Sequence, residues 1–174
     1  MERFDLVDKD GQLTGETVER GEVIPTNRYH HVVQIFTFNA NKELLITKRH
    51  PDKPYGNLWE ITAGSVIAGE SVVDGAVREL AEETGIRVQA DQLMPIIRTI
   101  HQEAIWFSFL VVLDAVDVPI TYQDQETIDH RWISIQEFKR LFVDDAFPGP
   151  MKKRLLDQWP AFTAALQTHV QLVI

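Results

Sequence analysis

The stretch GSVIAGESVVDGAVRELAEETGI, residues 64–86, decides how the chain is read. From Ser71 onward, Val73, Ala76, Val77 and Leu80 recur at i, i+3, i+4 and i+7, the period of an amphipathic helix. Ser71 suits the N-cap, with Asp74 three residues later, and Gly85 stands where a C′ glycine ends a helix. On that helix Glu79, Glu82 and Glu83 are related by i, i+3 and i+4, so all three project from one side at the edge of the buried face. Each like-charge pair at such a spacing costs about 0.2–0.5 kcal/mol even when exposed. Three carboxylates gathered this way need good solvation or a cation, and hard divalent ions such as Mg²⁺ seek carboxylate oxygens.

Outward from the helix the periodicity changes to that of strands. FDLVD (4–8) and LTGETV (13–18) are expected as two short strands around a KDGQ turn. YHHVVQIFTFN (29–39) and KELLITKR (42–49) are expected as a hairpin joined at Asn39-Ala40-Asn41. HPDKPYGN (50–57) is expected as a loop, and LWEITAGSV (58–66) as a strand leading into the helix. Beyond Gly85, IRV, LMPIIRTI, IWFSFLVVLDAV and TIDHRWISI are expected as strands, and IQEFKRLF and PMKKRLLDQWPAFTAALQ as closing helices. Strands flanking a helix, with further helices at the end, point to an α/β chain in which helices cover a mixed sheet. At 174 residues the chain is expected to be one domain, 1–174.

Composition excludes several function classes. There is no cysteine, hence no disulfide, no thiol nucleophile and no Cys-based metal site. A net charge of −9, with no basic run longer than KKR at 152–154, argues against a general nucleic-acid surface. No apolar run reaches the length of about 18 residues that a membrane helix needs. The charged start MERFDLVDKDG is not a signal peptide, so a cytoplasmic location is expected.

Written in full, the stretch is Gly64, five residues, Glu70, seven residues, then Arg78-Glu79-Leu80-x-Glu82-Glu83-x-Gly85-Ile86. This resembles the Nudix box, G-x5-E-x7-R-E-U-x-E-E-x-G-U with U aliphatic, at every specified position. A chance match at average residue usage is on the order of 10⁻¹⁰ per starting position. The resemblance implies the Nudix fold, an α/β/α sandwich around a mixed sheet. It also implies cleavage of a nucleoside diphosphate derivative or related organic diphosphate with Mg²⁺ or Mn²⁺. By the same resemblance Glu79, Glu82, Glu83 and the Ala63 carbonyl would hold metal, with one of the glutamates open to activating water as well, Arg78 would orient the glutamates, and Glu70 would support the loop–helix–loop. The metal explains how an acidic protein handles an acidic substrate: it neutralises phosphate charge and lowers the pKa of bound water.

Related hydrolases take a further acidic ligand from a downstream loop shortly before a tryptophan-bearing strand. Glu126, ahead of Trp132, is the candidate, with Glu103 in reserve. Arg49 at the end of LLITKR is a candidate phosphate partner, as is Gly64 for substrate approach. His30 and His31 are candidates to line a pocket; Tyr55 could stack on a base, while Trp59 is expected in the core. The region ahead of the box looks like that of type I isopentenyl-diphosphate isomerases and their hydrolase relatives. Those isomerases need a cysteine after the tryptophan, where this chain has EITAGSV. A hydrolase is therefore expected, with a nucleotide-sensing domain as the alternative and a homodimer kept open as the assembly.

Overall fold

HHVVQIFTF carries apolar residues on both of its alternating sets, so a strand made from it must be covered on both faces. In the computed structural model, which describes residues 2–122 and 124–172, it forms the central strand β3 (His30–Phe38). Ahead of it lie β1 (Arg3–Val7) and β2 (Leu13–Glu19). After it come β4 (Leu44–Arg49), β5 (Trp59–Glu60), β6 (Ala63–Ser65), α1 (Val72–Thr84), β7 (Met94–His101), β8 (Ala104–Val112), β9 (Thr127–Ile133), α2 (Ile135–Val143) and α3 (Gly149–Ala165).

The main sheet runs β5-β4-β3-β8-β7, with β6 also paired to β3 and β9 to β4. β3 and β8 are parallel over their full length, from His30 opposite Ala104 to Phe38 opposite Val112, whereas β6 is antiparallel to β3 and β7 to β8. The sheet is therefore mixed. Phe36, Phe38, Ile46 and Leu110 on one face pack against Phe138 of α2 and Leu155 and Phe162 of α3. Val33, Ile35, Phe109 and Val111 on the other face pack against Ala76 and Leu80 of α1. Each such fully buried Phe, Leu or Ile contributes about 1.5–3 kcal/mol relative to exposure. Helices on both faces make the α/β/α sandwich expected from the sequence. No helix among the described residues is long and apolar enough to cross a membrane.

Local signals account for α1. The Ser71 hydroxyl accepts from the Asp74 N–H at 3.1 Å, and Gly85, at φ 76°, donates its N–H to the Ala81 carbonyl at 2.9 Å. Glycine adopts that left-handed conformation at no steric cost, which terminates the helix there.

Four expectations change. IRV (86–88) is not a strand: Ile86 and Val88 are buried against the α1 side but pair with no neighbour, so their alternation reports burial alone. LWEITAGSV breaks into β5 and β6, because its first half pairs with β4 and its second with β3. The β3–β4 hairpin has a single strand-register pair, Phe38 with Leu44, beside the turn bond from Asn39 N–H to Glu43 O; β4 then diverges to pair with β9 and β5. IWFSFLVVLDAV stays a strand only as far as Val112.

β1 and β2 form a separate two-stranded hairpin. It is tied to the entrance of β3 by reciprocal backbone bonds between Val7 and Tyr29 (2.8 and 2.9 Å). A second tether runs to the loop before α1, where Ala68 N–H donates to Arg3 O at 2.8 Å and Gly69 N–H to Asp5 Oδ2 at 2.7 Å.

Candidate functional site

Because α1 packs beside β6 and β3, the glutamates on its inner side open onto a cavity of about 520 Å³ at one end of the sheet. Ala63 and Gly64 of β6, His30 and Val32 of β3, and Arg49, Lys53 and Glu126 of the β4 end and its neighbouring loops share its wall with Glu79, Glu82 and Glu83. Glu2, Arg20 and Ile24 enter it from the N-terminal hairpin and the segment after it.

The three glutamates are not equivalent. Glu79 and Glu83 belong to the buried face of α1, whereas Glu82 stands on its exposed shoulder. Arg78 joins the group: its Nη1 donates to Glu79 Oε1 at 2.8 Å and to Glu82 Oε2 at 2.9 Å. Its Nε and Nη2 reach the two Glu70 oxygens at 2.9 and 3.0 Å, and Nη2 also donates to Ser65 O. Glu70 additionally accepts from the Ile67 N–H. Burial disfavours the charge on Arg78, but its hydrogen bonds to Glu70 and Glu79 outweigh burial and push its pKa up. One guanidinium thus clamps the loop before α1 to the helix and orients two carboxylates, as bidentate arginine geometry allows.

Glu83 lies outside that clamp. It is 5% exposed, its Oε2 has no hydrogen-bond partner, and Arg78 does not reach it. Burial, followed by the charges of Glu60 and Glu79, pushes its carboxyl well above the usual range. Burial likewise raises Glu79, opposed by Arg78. Glu60 is buried on β5 with Oε1 unpartnered; burial raises it against the attraction of Arg49, to which its other oxygen is bonded. Glu126 is ion-paired with Lys53 and adds to the negative field felt by Glu83.

These residues fit a divalent cation in their chemistry. All the donors are hard oxygens, and a buried carboxylate oxygen without a partner is the group that a cation would satisfy. Gly64 provides the space: a Cβ there would sit 2.0 Å from Glu79 Cδ, so only glycine leaves room for that carboxylate. Among the described residues no three acidic or histidine side chains already close on one point, and Arg78 takes an oxygen of both Glu79 and Glu82.

Burial lowers the pKa of His30, keeping its ring neutral at pH 7. Its Nδ1 lies 3.1 Å from Glu103 O; a carbonyl only accepts, so Nδ1 carries the proton and Nε2 is the acceptor. Arg49 donates through Nε to Pro54 O at 2.8 Å and is half-buried at the cavity. Tyr55 is not brought there. It follows Pro54 in a left-handed turn at φ 60° and remains exposed outside the cavity wall. Trp59 packs against the α2–α3 core, with Lys48 and Arg131 over its ring.

Sequence reasoning missed Glu60, Lys53 and Trp106, all of which border this site. Glu60 had a readable signal, an acidic residue inside the otherwise apolar run LWEIT. Trp106 had none that set it apart, being one aromatic of several in the apolar run IWFSFLVV. Lys53, a loop lysine, had none.

A helix-borne cluster of glutamates clamped by arginine thus stands at the end of a mixed sheet, and comparison with known proteins shows the class to which the chain belongs. The NUDIX domain family matches residues 28–155, and the chain belongs to that family of Nudix-type hydrolases. It is similar to an uncharacterized Nudix hydrolase of Listeria monocytogenes, at 32% identity over 81% of this chain and 85% of that one. It is also similar to Nudix hydrolase 2 of Arabidopsis thaliana, at 30% identity over 67% of this chain and 44% of the longer plant protein. Among solved structures, DR0079 of Deinococcus radiodurans shares the fold at a TM-score of 0.71 and 20% identity, covering 90% of this chain and 98% of that one.

Proposed function

We propose that the protein hydrolyses a diphosphate linkage in a nucleoside diphosphate derivative or related organic diphosphate, using Mg²⁺ or Mn²⁺. The observation that carries this reading is the buried, unpartnered carboxylate of Glu83 beside Glu79, in a cavity that also presents Arg49 and Lys53. Carboxylates alone would repel a diphosphate, and cations alone would not generate a nucleophile; the cavity has groups for both tasks.

Glu79, Glu82, Glu83 and the Ala63 carbonyl would hold the cation, which when bound stabilises phosphate charge and lowers the pKa of water. Arg78 keeps Glu79 and Glu82 oriented, and Glu70 in turn fixes Arg78. Arg49 and Lys53 line the cavity as counter-charges for the phosphates. Glu126 accepts the proton of the attacking water as the new P–O bond forms and the bridging P–O bond breaks, and Glu103 is the reserve for that role. No cysteine is present to move a proton on an isoprenyl chain, which favours hydrolysis over isomerisation.

The test is release of phosphate-bearing products from nucleoside and prenyl diphosphates, with Mg²⁺, with Mn²⁺ and with EDTA. Hydrolysis in either metal but not in EDTA supports the reading. No turnover on the whole panel refutes it in favour of a nucleotide-sensing domain, and double-bond migration seen by NMR refutes the choice of hydrolase over isomerase.

A further inference from the structure

The face of the sheet under α3 is apolar at one end, where Phe36, Phe38 and Leu110 are fully buried. Toward the cavity it turns polar. Gln34 of β3 and Ser108 of β8 are register partners, and Arg154 and Gln158 of α3 lie over this end. Arg154 is 6% exposed, and among the described residues it has no carboxylate within ion-pair distance. Its Nη2 donates to Gln34 Oε1 at 3.0 Å, while its Nε has no partner. Burial lowers its pKa to about 10, so it is charged at neutral pH. A buried charge without a counter-charge is costly and needs a compensating interaction.

That interaction is Trp106. The Arg154 guanidinium carbon lies 3.4 Å from the centre of the indole ring, far nearer than in any other cation–ring pair of the described residues, where the separation is 5.3 Å or more. Neither Arg154 nor Gln34 lines the cavity, but Trp106 does, together with its register partner Val32. Trp106 thus carries the guanidinium against its ring and also lines the chamber that holds Glu79 and Glu83.

We propose that Trp106 is the platform on which a neutral, flat ring of the substrate, a nucleobase, stacks, and that Arg154 is the positioning residue that holds and polarises it. The proposal rests on reading the cavity as the diphosphate-hydrolysing site. A cation over one face of an indole withdraws electron density from the other, which discourages a second cation there and favours an electron-rich planar ring. A carboxylate beside Arg154 would cancel that effect, and none is present among the described residues. Stacking uses the face that every base possesses, so discrimination among bases is weak, whereas that between nucleoside and prenyl diphosphates is strong.

The test uses the full chain. In EDTA, where no hydrolysis is expected, AMP should quench wild-type tryptophan fluorescence and should not quench Trp106→Phe, which keeps Trp59, Trp132 and Trp159. In Mg²⁺, Trp106→Leu should raise KM for a nucleoside diphosphate derivative by about five- to a hundredfold, more than it changes kcat, and Trp106→Phe should recover most of the loss. The KM penalty for a prenyl diphosphate should be markedly smaller. Arg154→Met should weaken AMP binding severalfold while the protein still melts cooperatively, and Arg154→Lys should fall between it and wild type. If Arg154→Met does not fold, Arg154→Lys alone carries that comparison. Absence of quenching in wild type, quenching that persists in Trp106→Phe, or equal KM penalties for both substrate classes overturns the stacking role. AMP affinity unchanged in the Arg154 variants overturns the positioning role. If wild type turns over nothing on the panel, the proposed function fails, while the AMP titration still decides stacking independently.

Discussion

Replacing Glu83 by glutamine removes one charge from a site where Glu60, Glu79 and Glu126 all act against it, and leaves the shape unchanged. Glu83 is 5% exposed and its Oε2 has no partner, so without a cation the carboxylate bears a desolvation cost with nothing to offset it. An unsatisfied buried polar group costs about 1–3 kcal/mol, and more when charged. The neutral amide relieves that cost and brings a donor next to Glu60, whose Oε1 is likewise unpartnered. We expect Glu83→Gln to be more stable than wild type in EDTA by about 1–3 kcal/mol. At about 2–4 °C per kcal/mol for a chain of this size, that is a rise in Tm of about 2–12 °C. Mg²⁺ at about a thousandfold excess over Kd should reverse the order, since it stabilises wild type by about 4.1 kcal/mol and the variant much less. Metal-dependent kcat should meanwhile fall by about a hundredfold or more, since several kcal/mol of charge stabilisation is lost. Parallel thermal melts in EDTA and Mg²⁺ decide the matter. A variant that melts below wild type in EDTA, with both proteins shifted equally by metal, would show that Glu83 is structural.

Three further expectations follow from the geometry. Gly64→Ala puts a methyl 2.0 Å from Glu79 Cδ, but only the end of a flexible side chain must move; activity should drop about a hundredfold while Tm changes by only a few degrees, and a matching collapse of both would contradict this. Glu126→Gln should lower kcat by about 10²–10⁴ with a smaller change in KM, as loss of a general base does; an unchanged kcat would return Glu126 to being the ion-pair partner of Lys53 and transfer the role to Glu103. His30 has its folded pKa depressed by burial, so it contributes stability that is fully present above its unfolded pKa of about 6.5 and is lost as pH falls through the folded value. His30→Gln should therefore lose less Tm between pH 7.5 and 5 than wild type does; identical losses would remove His30 from that account.

What could be read along the chain is what local geometry encodes. The cap at Ser71 and the stop at Gly85 depend on helical period alone and appear as the sequence implies, and the Arg78–Glu82 pair one turn on is equally local. The same locality explains Glu70 and Arg78, eight residues apart across one loop and one helix. Alternation was a weaker guide. It marked β3, β4, β7, β8 and β9, yet it also marked Ile86 and Val88, because burial against a neighbouring helix yields the same pattern without a hydrogen-bonded partner.

The composition of the cavity wall was decided at longer range. The parallel register of β3 with β8 sets Gln34 opposite Ser108 and Val32 opposite Trp106, and the packing of α3 then delivers Arg154 onto that ring. Two-residue β5 carries Glu60 to Glu83 only because it pairs with β4. Docking of the N-terminal hairpin brings Arg20 into the same chamber, while a left-handed turn takes Tyr55 out of it. By itself the sequence determined the helix, its caps, its glutamates and their arginine, since these lie within a few residues of one another and hydrogen-bond across a single turn or loop. Which groups face those glutamates was left to the tertiary structure, because strand register and helix packing bring together side chains up to 120 residues apart, and no local periodicity encodes such a meeting.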